Sequence, residues 1–170
     1  MTKTLDLGCG PVPKNPFNAD EIFGVDVREN LETNIKSADL VVEPIPFDDD
    51  SFNYVTAHDL IEHIPRLIYT PKRRNAFVEL MNEVHRVLQT GGLFLSSTPA
   101  YPHAAAFVDP THVNIITEGT FPLYFADQAP GGLPWAAIYG FKGHFTVKLQ
   151  EWRGPHLLTV LQKITRPVAI

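Results

Sequence analysis

The feature that most constrains the fold is a Gly-x-Gly turn that directly follows a short strand-like segment near the start of the chain. Residues 5–10 read Leu-Asp-Leu-Gly-Cys-Gly, so two leucines alternate with Asp6 before the glycines interrupt the run. Because glycine has no Cβ, the backbone of such a turn can pass close to a ligand. Residues 21–27 form a second strand-like segment, and its Asp26 stands twenty residues after Asp6. An acid at that distance is placed to bind a ribose, so the pattern predicts a nucleoside site on a Rossmann-like sheet.

The residues after the glycines indicate a nucleoside without phosphates. A dinucleotide site usually has a third small residue here, which lets the next helix aim its N-terminus at the pyrophosphate. This chain has Pro13 at that place, and both Pro11 and Pro13 lack the backbone donor that a pyrophosphate needs. A carboxylate at Asp6 would repel phosphate but attract an ammonium or sulfonium group. S-adenosylmethionine (SAM) has a ribose, an amino group and a sulfonium, and these residues therefore favour it as the ligand.

Several segments in chain order resemble motifs of the class I SAM-dependent methyltransferases. Residues 5–10 and 23–26 resemble the first motif and the acid of the second strand. Residues 46–55 resemble the approach to the fourth strand, and residues 60–64 resemble the helix after it. Residues 83–95 resemble the next helix and the fifth strand, and residues 109–113 resemble a motif in the insertion of a bacterial small-molecule-type branch. The resemblance implies methyl transfer from SAM to a small-molecule or sugar-bearing acceptor at oxygen or nitrogen, with S-adenosylhomocysteine (SAH) as the product.

The distribution of strand-like segments predicts an α/β fold. Seven segments have strand-like patterns, namely residues 4–7, 22–26, 39–42, 52–57, 93–97, 145–152 and 157–166. Helix-compatible segments separate several of the first five, which indicates a parallel sheet with helices on both faces, and the last two alternate like antiparallel strands. We therefore expect a Rossmann-like, mostly parallel seven-stranded sheet with an antiparallel C-terminal strand pair.

Two further segments complete the predicted fold. The clearest helix is expected over residues 71–89, with Thr70 as its cap. Residues 100–138 are rich in proline, glycine and aromatic residues, and we expect an irregular cover over the site with one short helix near residues 117–125. The whole chain, residues 1–170, is predicted to form one domain that lacks the helix usually found before the first strand in the family.

Composition and charge exclude several classes of protein. The net charge of −5 and the pI near 5.7 argue against nucleic acid held through many phosphate contacts. A single cysteine rules out a disulfide framework and fits a reducing compartment. The chain has no apolar run of the roughly 18 residues that a membrane span requires, so no membrane association and a cytoplasmic location are expected. The expected partner is a small-molecule acceptor, and a homodimer of the chain stays open.

Ten residues are predicted to bind the cofactor. They lie at or just after the ends of the first four predicted strands, and they are Asp6, Gly8, Cys9, Gly10, Asp26, Val27, Val42, Glu43, His58 and Asp59. We expect Asp6 to bind the amino group of SAM and Asp26 to bind its ribose. Val42 stands where the family often has an acid that reads the adenine ring, and Glu43 is the alternative. The last two residues of the set stand where members of the family line the methionine end of the cofactor.

Three residues are predicted to act on the methyl acceptor, namely His112, Asp109 and His63. The first two lie in the segment expected to cover the strand ends, so they suit acceptor positioning and proton removal. The alternative is structural, because residues 109–112 have the composition of a turn with an Asx-type hydrogen bond, and His63 has the alternative of a hydrogen bond at a helix end. No metal is expected. A site built on these three residues and His103 would need ligands on rigid, facing elements, and three of the four residues lie in one irregular segment.

The sequence also lacks the motifs of two kinds of methyl transfer. It has no Asn/Asp-Pro-Pro-Tyr/Phe run, which argues against methylation of the amino groups of adenine or glutamine. It has no Pro-Cys nucleophile, which argues against chemistry at cytosine C5. The alternative function is a non-catalytic SAM-binding or scaffold protein with a reduced methyltransferase fold, because the family's usual first helix is lacking.

Overall fold

The computed structural model describes residues 1–127 and 132–165, which fold around one seven-stranded sheet. The strands are β1 (Lys3–Leu7), β2 (Glu21–Asp26), β3 (Ile35–Ser37), β4 (Phe52–His58), β5 (Leu88–Pro99), β6 (Phe145–Arg153) and β7 (His156–Lys163). They lie in the order β3-β2-β1-β4-β5-β7-β6, with β1 to β5 parallel and β7 antiparallel to both of its neighbours. The predicted Rossmann-like sheet with an antiparallel C-terminal pair is confirmed.

The helices of the described residues are few and mostly short. They are α1 (Ala76–Val87), α2 (Ala105–Val108) and α3 (Thr120–Tyr124), with 3-10 helices at Leu31–Thr33, Ile61–His63 and Trp135–Tyr139. The short helix predicted near residues 117–125 is α3. Of the predicted cover and last strand, residues 128–131 and 166 lie outside the described residues. None of these helices is long and apolar enough to cross a membrane.

The main hydrophobic core lies between one face of the sheet and α1. Strand side chains alternate between the two faces, and Leu5, Leu7 and Val55 belong to this core. The apolar stripe of α1 is buried against them, as an amphipathic helix requires. Aromatic side chains from the rest of the chain extend the core, namely Phe121, Phe125, Phe141 and Phe145.

The opposite face of the sheet carries a smaller apolar cluster, formed by Leu95, Leu158 and Val160. Phe17 packs against this cluster and stacks on Tyr54 of β4, with 4.5 Å between the ring centroids. Phe17 comes from the loop of residues 8–20 between β1 and β2, which forms turns and no helix. Three prolines in this loop explain the absence of a helix, because proline lacks a donor and disfavours helical backbone at the residue before it.

The predicted third strand at residues 39–42 is wrong. The third strand of the structure, β3, is Ile35–Ser37, and residues 39–42 form a turn after it. The carbonyl of Asp39 accepts hydrogen bonds from the N–H groups of Val42 and Glu43 at 3.0 and 2.7 Å, and its side chain accepts one from the N–H two residues on at 3.0 Å. An aspartate that bonds to the backbone that follows it favours a turn over a strand.

The predicted helix over residues 71–89 is confirmed in its middle but is shorter at both ends, since α1 spans residues 76–87. Before it, Ile68 and Arg74 pair their backbones through hydrogen bonds of 3.0 and 2.8 Å, so Thr70 lies outside the helix and does not cap it. After it, Leu88 already belongs to β5. Backbone pairing with other parts of the chain therefore sets both ends.

His85 of α1 packs among aromatic rings. Its ring centroid lies 5.2 Å from that of Phe145 and 6.4 Å from that of Phe141. Burial lowers the pKa of His85 from 6.5 to about 4, and the charges of Lys163 and His144 act in the same direction, while Asp50 opposes them. The histidine is therefore neutral in the folded protein at neutral pH.

The free energy of unfolding is expected to decrease as the pH falls from 6.5 towards 4, because in that range the unfolded chain binds a proton at His85 that the folded chain does not. Solvent reaches part of the ring, so we expect a loss of about 1–2 kcal/mol rather than the full value of the pKa difference. Urea unfolding at several pH values measures it. His85→Gln should remove this part of the slope, whereas the exposed His103→Gln should keep it. An identical slope in His85→Gln and in the parent protein would contradict the assignment.

Candidate functional site

The strand order places a ligand site between β1 and β4. The chain leaves β1 towards β2 and β3 and then returns to β4 on the other side of β1, so the order reverses at this point. In open α/β sheets, ligands bind at the carboxyl ends of the strands where the order reverses. That edge carries the glycine turn after β1, Asp26 at the end of β2 and His58 at the end of β4.

The glycine turn has the backbone conformation that its sequence predicts. Gly8 and Gly10 both have φ of +62°, which glycine adopts without strain. The N–H groups of Gly8 and Cys9 donate to the Val25 carbonyl at 2.8 and 3.2 Å, which ties the turn to β2. A Cβ on Gly8 would lie 2.9 Å from Leu60, whereas a Cβ on Gly10 would meet no atom within 4 Å. The turn therefore has open space on the side of Gly10.

Asp26 faces this open space. Its Oδ2 accepts a hydrogen bond from the N–H of Gly10 at 2.9 Å, and its Oδ1 accepts one from the N–H of Arg28 at 3.3 Å. The side chain is 14% exposed and lines a cleft of about 260 Å³ together with Gly10 and Pro11. The carboxylate is thus held in place and accessible, as a ribose acceptor must be. Its neighbour Val27 is exposed.

Asp6 is buried, and its contacts lie within the protein. The residue is 1% exposed, its Oδ1 accepts a hydrogen bond from the Thr56 hydroxyl at 2.6 Å, and its Oδ2 accepts one from the N–H of Lys14 at 2.8 Å. His58 Nδ1 lies 3.5 Å from Oδ1. The carboxylate therefore fastens the loop after β1 to β4. A contact between Asp6 and the amino group of SAM stays a prediction.

Thr56→Val is expected to lower the free energy of unfolding by about 1–3 kcal/mol, because it leaves a buried carboxylate oxygen without its donor. Thr4→Val is the matched control. Thr4 is also buried on the strand that carries Asp6, but its hydroxyl has no hydrogen-bond partner among the described residues. That change should be neutral or stabilising. Urea unfolding compares the two variants, and equal losses would exclude a special role for the bond between Thr56 and Asp6.

Cys9 lies in the glycine turn as a small, protonated side chain. Burial raises the pKa of its thiol to about 11, and the charges of Asp6 and Asp26 add to this effect. Its Sγ donates to the Gly10 carbonyl at 3.3 Å. A thiol that stays protonated at neutral pH is not a nucleophile, so Cys9 can serve the site only as part of its wall.

The two residues predicted to read adenine lie in another cleft. Val42 and Glu43 line a cleft of about 280 Å³ together with α1 residues, and neither lines the cleft at Asp26. The Glu43 carboxylate accepts a hydrogen bond from the N–H of Asp39 at 2.6 Å. The described structure therefore places Val42 and Glu43 in a different cleft from Asp26. Their contacts with adenine stay a prediction.

The end of β4 adds a pair that the sequence did not indicate. Asp59 has a left-handed backbone with φ of +51°, and its Oδ1 lies 2.7 Å from Nε2 of His156. His156 is the first residue of β7, and it pairs with Pro99 at the end of β5. Because β7 runs antiparallel to β5, its first residue reaches the same edge as the carboxyl ends of the parallel strands.

The three residues predicted to act on the acceptor lie close together. The His63 and His112 ring centroids are 4.9 Å apart at an angle of 76°. The Thr111 hydroxyl donates to Asp109 Oδ1 at 2.6 Å and contacts His63 Nδ1 at 3.0 Å, so it links Asp109 to His63. The N–H of Thr111 also donates to Asp109 Oδ1 at 2.8 Å, and these hydrogen bonds lower the pKa of Asp109. The Asx-type turn and the polar cluster are therefore both present.

Glu62 belongs to the same cluster, although it is not among the predicted site residues. The residue is 1% exposed, and its Oε2 accepts a hydrogen bond from Thr98 at 2.7 Å. Its backbone carbonyl accepts from the N–H groups of Val113 and Asn114, both at 2.9 Å. The Ile61–His63 helix is thereby fastened to the segment that carries His112. His103 lies apart from the cluster, 5.1 Å from the Trp152 ring.

Comparison with known proteins agrees with this geometry. Residues 5–96 match a protein-family model described as a methyltransferase domain. The structure is similar to a protein of Pyrococcus horikoshii OT3, with a TM-score of 0.61, 20% identity, and coverage of 95% of this chain and 81% of that chain. It is also similar to a SAM-dependent methyltransferase of Aquifex aeolicus, with a TM-score of 0.58, 14% identity, and coverage of 96% of this chain and 82% of that chain. A third similar structure is a SAM-dependent methyltransferase of Mesorhizobium loti, with a TM-score of 0.57, 17% identity, and coverage of 94% of this chain and 90% of that chain. At these identities the likeness shows a shared fold. No curated protein matches the sequence.

Proposed function

The chain belongs to the methyltransferase domain family, whose model matches residues 5–96 of its 170 residues, and we propose that it methylates a hydroxyl or amino group of a small-molecule or sugar-bearing acceptor. The predictions of an enzyme, of methyl transfer and of SAM as the cofactor are confirmed by this membership. The acceptor class, the bacterial small-molecule-type branch and a cytoplasmic location belong to the proposal.

The observation that carries the proposal is that two polar groups of residues share one edge of the sheet, on either side of the switch point. On the first side, β1 and β2 bring Gly10 and Asp26 to an open cleft suited to a nucleoside. On the second side, the ends of β4 and β5 hold the cluster of Glu62, His63 and His112. Methyl transfer requires that donor and acceptor be held in line, and polar side chains on the second side suit a hydroxyl or amino acceptor.

One cavity of the described residues supports an acceptor of modest size. It measures about 360 Å³, and its lining includes Arg66 and the stacked rings of Tyr124 and Tyr139, whose centroids are 5.9 Å apart. Arg66 Nε donates to the Asn114 side chain at 2.7 Å, so the cavity wall connects to the segment that carries His112. Pockets for small molecules typically measure about 300–1,000 Å³.

A thermal unfolding experiment tests the cofactor site. SAH or SAM at about 100 times its dissociation constant should stabilise the native protein by about 2.7 kcal/mol, which corresponds to a rise in Tm of roughly 5–10 °C for a domain of this size. NAD should leave the Tm unchanged, because Pro11 and Pro13 remove donors that its pyrophosphate would need. A rise with NAD and none with SAM would refute the assignment.

The second candidate function is a non-catalytic SAM-binding or scaffold protein. One observation favours it: the loop between β1 and β2 forms no helix, so one face of the sheet is covered at this point by a loop alone. Incubation with methyl-labelled SAM and a panel of hydroxyl and amino acceptors separates the two functions. Tight SAM binding with no labelled product from any acceptor would support this second candidate.

A further inference from the structure

We propose that Glu62, His63 and His112 bind one divalent transition-metal ion, for which Zn²⁺ is the best match. Each residue offers one ligand atom, and these atoms lie within 4.8 Å of one another. The cluster lies beyond the ends of β4 and β5, so the ion would lie at the edge of the sheet that holds the cofactor site. The metal site itself does not depend on methyl transfer.

The hydrogen bonds of the two histidines leave one nitrogen of each ring free to bind a metal. The single hydrogen of the Thr111 hydroxyl is donated to Asp109 at 2.6 Å, so this hydroxyl accepts from Nδ1 of His63 at 3.0 Å. Nδ1 of His112 lies 3.3 Å from the Ala106 carbonyl, which can only accept. Both neutral rings therefore carry hydrogen on Nδ1 and a lone pair on Nε2. Histidine ligands of metals commonly donate their other ring N–H in this way.

Glu62 supplies an unpaired buried oxygen. The residue is 1% exposed and its Oε2 accepts from Thr98, but its Oε1 has no hydrogen-bond partner among the described residues. A buried carboxylate oxygen without a partner is costly, and a bound cation removes this cost. The same cluster thus holds a carboxylate with one unsatisfied oxygen and two imidazoles that each have one free nitrogen.

The framework around the three side chains is rigid. The Glu62 carbonyl accepts two backbone hydrogen bonds at 2.9 Å from the residues that follow His112. The Asn114 side chain also donates to the Ile61 carbonyl at 3.1 Å. The expectation of no metal concerned a set that included His103 and Asp109. The structure replaces these two residues with Glu62 and provides the facing elements that a site requires.

The donor set selects the kind of ion. Two imidazoles and one carboxylate suit Zn²⁺ and similar transition ions, whereas Mg²⁺ and Ca²⁺ prefer oxygen ligands. Zinc bonds of about 2.0–2.2 Å place neighbouring ligand atoms roughly 3.4 Å apart. Side-chain rotations that move these atoms by about an ångström would therefore close the site. Three protein ligands also leave a fourth position open. An oxygen of the methyl acceptor could bind the ion at this fourth position, and this part of the inference rests on the proposed function.

Calorimetric titration of the chelator-treated full chain with ZnCl₂, without SAM or acceptor, tests the site. We expect one ion per chain with micromolar or tighter affinity, and no heat with MgCl₂. His63→Ala and Glu62→Gln should each weaken Zn²⁺ binding by at least about 10-fold, since even changes to residues around metal ligands cost about 10–100-fold. His103→Ala is the matched control and should bind zinc like the parent protein.

Two results would overturn the metal site. One is the absence of 1:1 zinc binding to the parent protein, and the other is equal zinc affinity in the parent protein and His63→Ala. Because His63 is only partly buried, its variant decides the question if Glu62→Gln does not fold. A SAH-induced rise in Tm without zinc binding would reject the metal site and leave the proposed methyl transfer intact.

Discussion

Asp26→Ala is expected to weaken the binding of SAH by about 10- to 150-fold, the equivalent of about 1.5–3 kcal/mol for hydrogen bonds to a charged acceptor. In the structure, Asp26 is held by the N–H groups of Gly10 and Arg28 and lines the cleft beside the glycine turn. The variant loses both the ribose acceptor and the bond that orders the turn. Asp26→Asn should lose less, because one oxygen acceptor remains. Isothermal calorimetry on folded protein measures the dissociation constants.

Glu21→Ala is the matched control for this prediction. It removes a carboxylate from the other end of the same strand, where Glu21 forms an ion pair of 3.7 Å with Lys3. SAH affinity should therefore be unchanged in Glu21→Ala. An unchanged dissociation constant in Asp26→Ala would remove this residue from the cofactor site.

In chelator-treated protein, where no metal occupies its Nε2, His112→Ala is expected to lower kcat by about 10²–10⁴-fold, the range for loss of a positioned acid–base group. The residue contacts His63 at the ends of β4 and β5, on the other side of the switch point from Asp26. Affinity for SAH should therefore stay within about twofold of the parent value, and a loss of kcat alone marks a group that acts in the transition state. Turnover with an acceptor found in the labelling panel, together with calorimetry, gives both quantities.

His103→Ala provides the comparison for His112. Both histidines belong to the cover segment, but His103 is exposed and rests on Trp152. Its replacement should leave kcat nearly unchanged. If the two variants lost turnover equally, or if His112→Ala lost SAH affinity instead of turnover, His112 would have a structural role only.

The parts of the fold that the sequence predicted are those with local causes. The glycine turn follows from Gly8 and Gly10, and the buried stripe of α1 follows from its helical spacing. The ends of elements were less predictable, because distant backbone sets them. Arg74 pairs with Ile68 and so delays the start of α1. Leu88 leaves the helix because it pairs with Phe52 of β4.

The site was predictable where one residue type carried the signal and was missed where partners come from distant segments. Motifs named Asp26, His63 and His112 as separate candidates, but they did not predict the contact between the two histidine rings. Thr56 binds Asp6 across 50 positions and His156 binds Asp59 across 97, so only the strand register brings them together. Glu62 was missed as a site residue because the sequence does not show that its side chain is buried. Only the fold brings Thr98 to one carboxylate oxygen and leaves the other oxygen buried without a partner among the described residues.

A crystal structure with SAH bound tests the central claim, which is that the cofactor lies across the switch point. The expected structure has the ribose hydroxyls within about 2.6–3.2 Å of the Asp26 carboxylate, the nucleoside over the Gly8–Gly10 turn, and the sulfur facing the cluster of Glu62, His63 and His112. SAH bound in the cavity beside Tyr124 and Tyr139, with Asp26 still bonded only to Gly10 and Arg28, would contradict it.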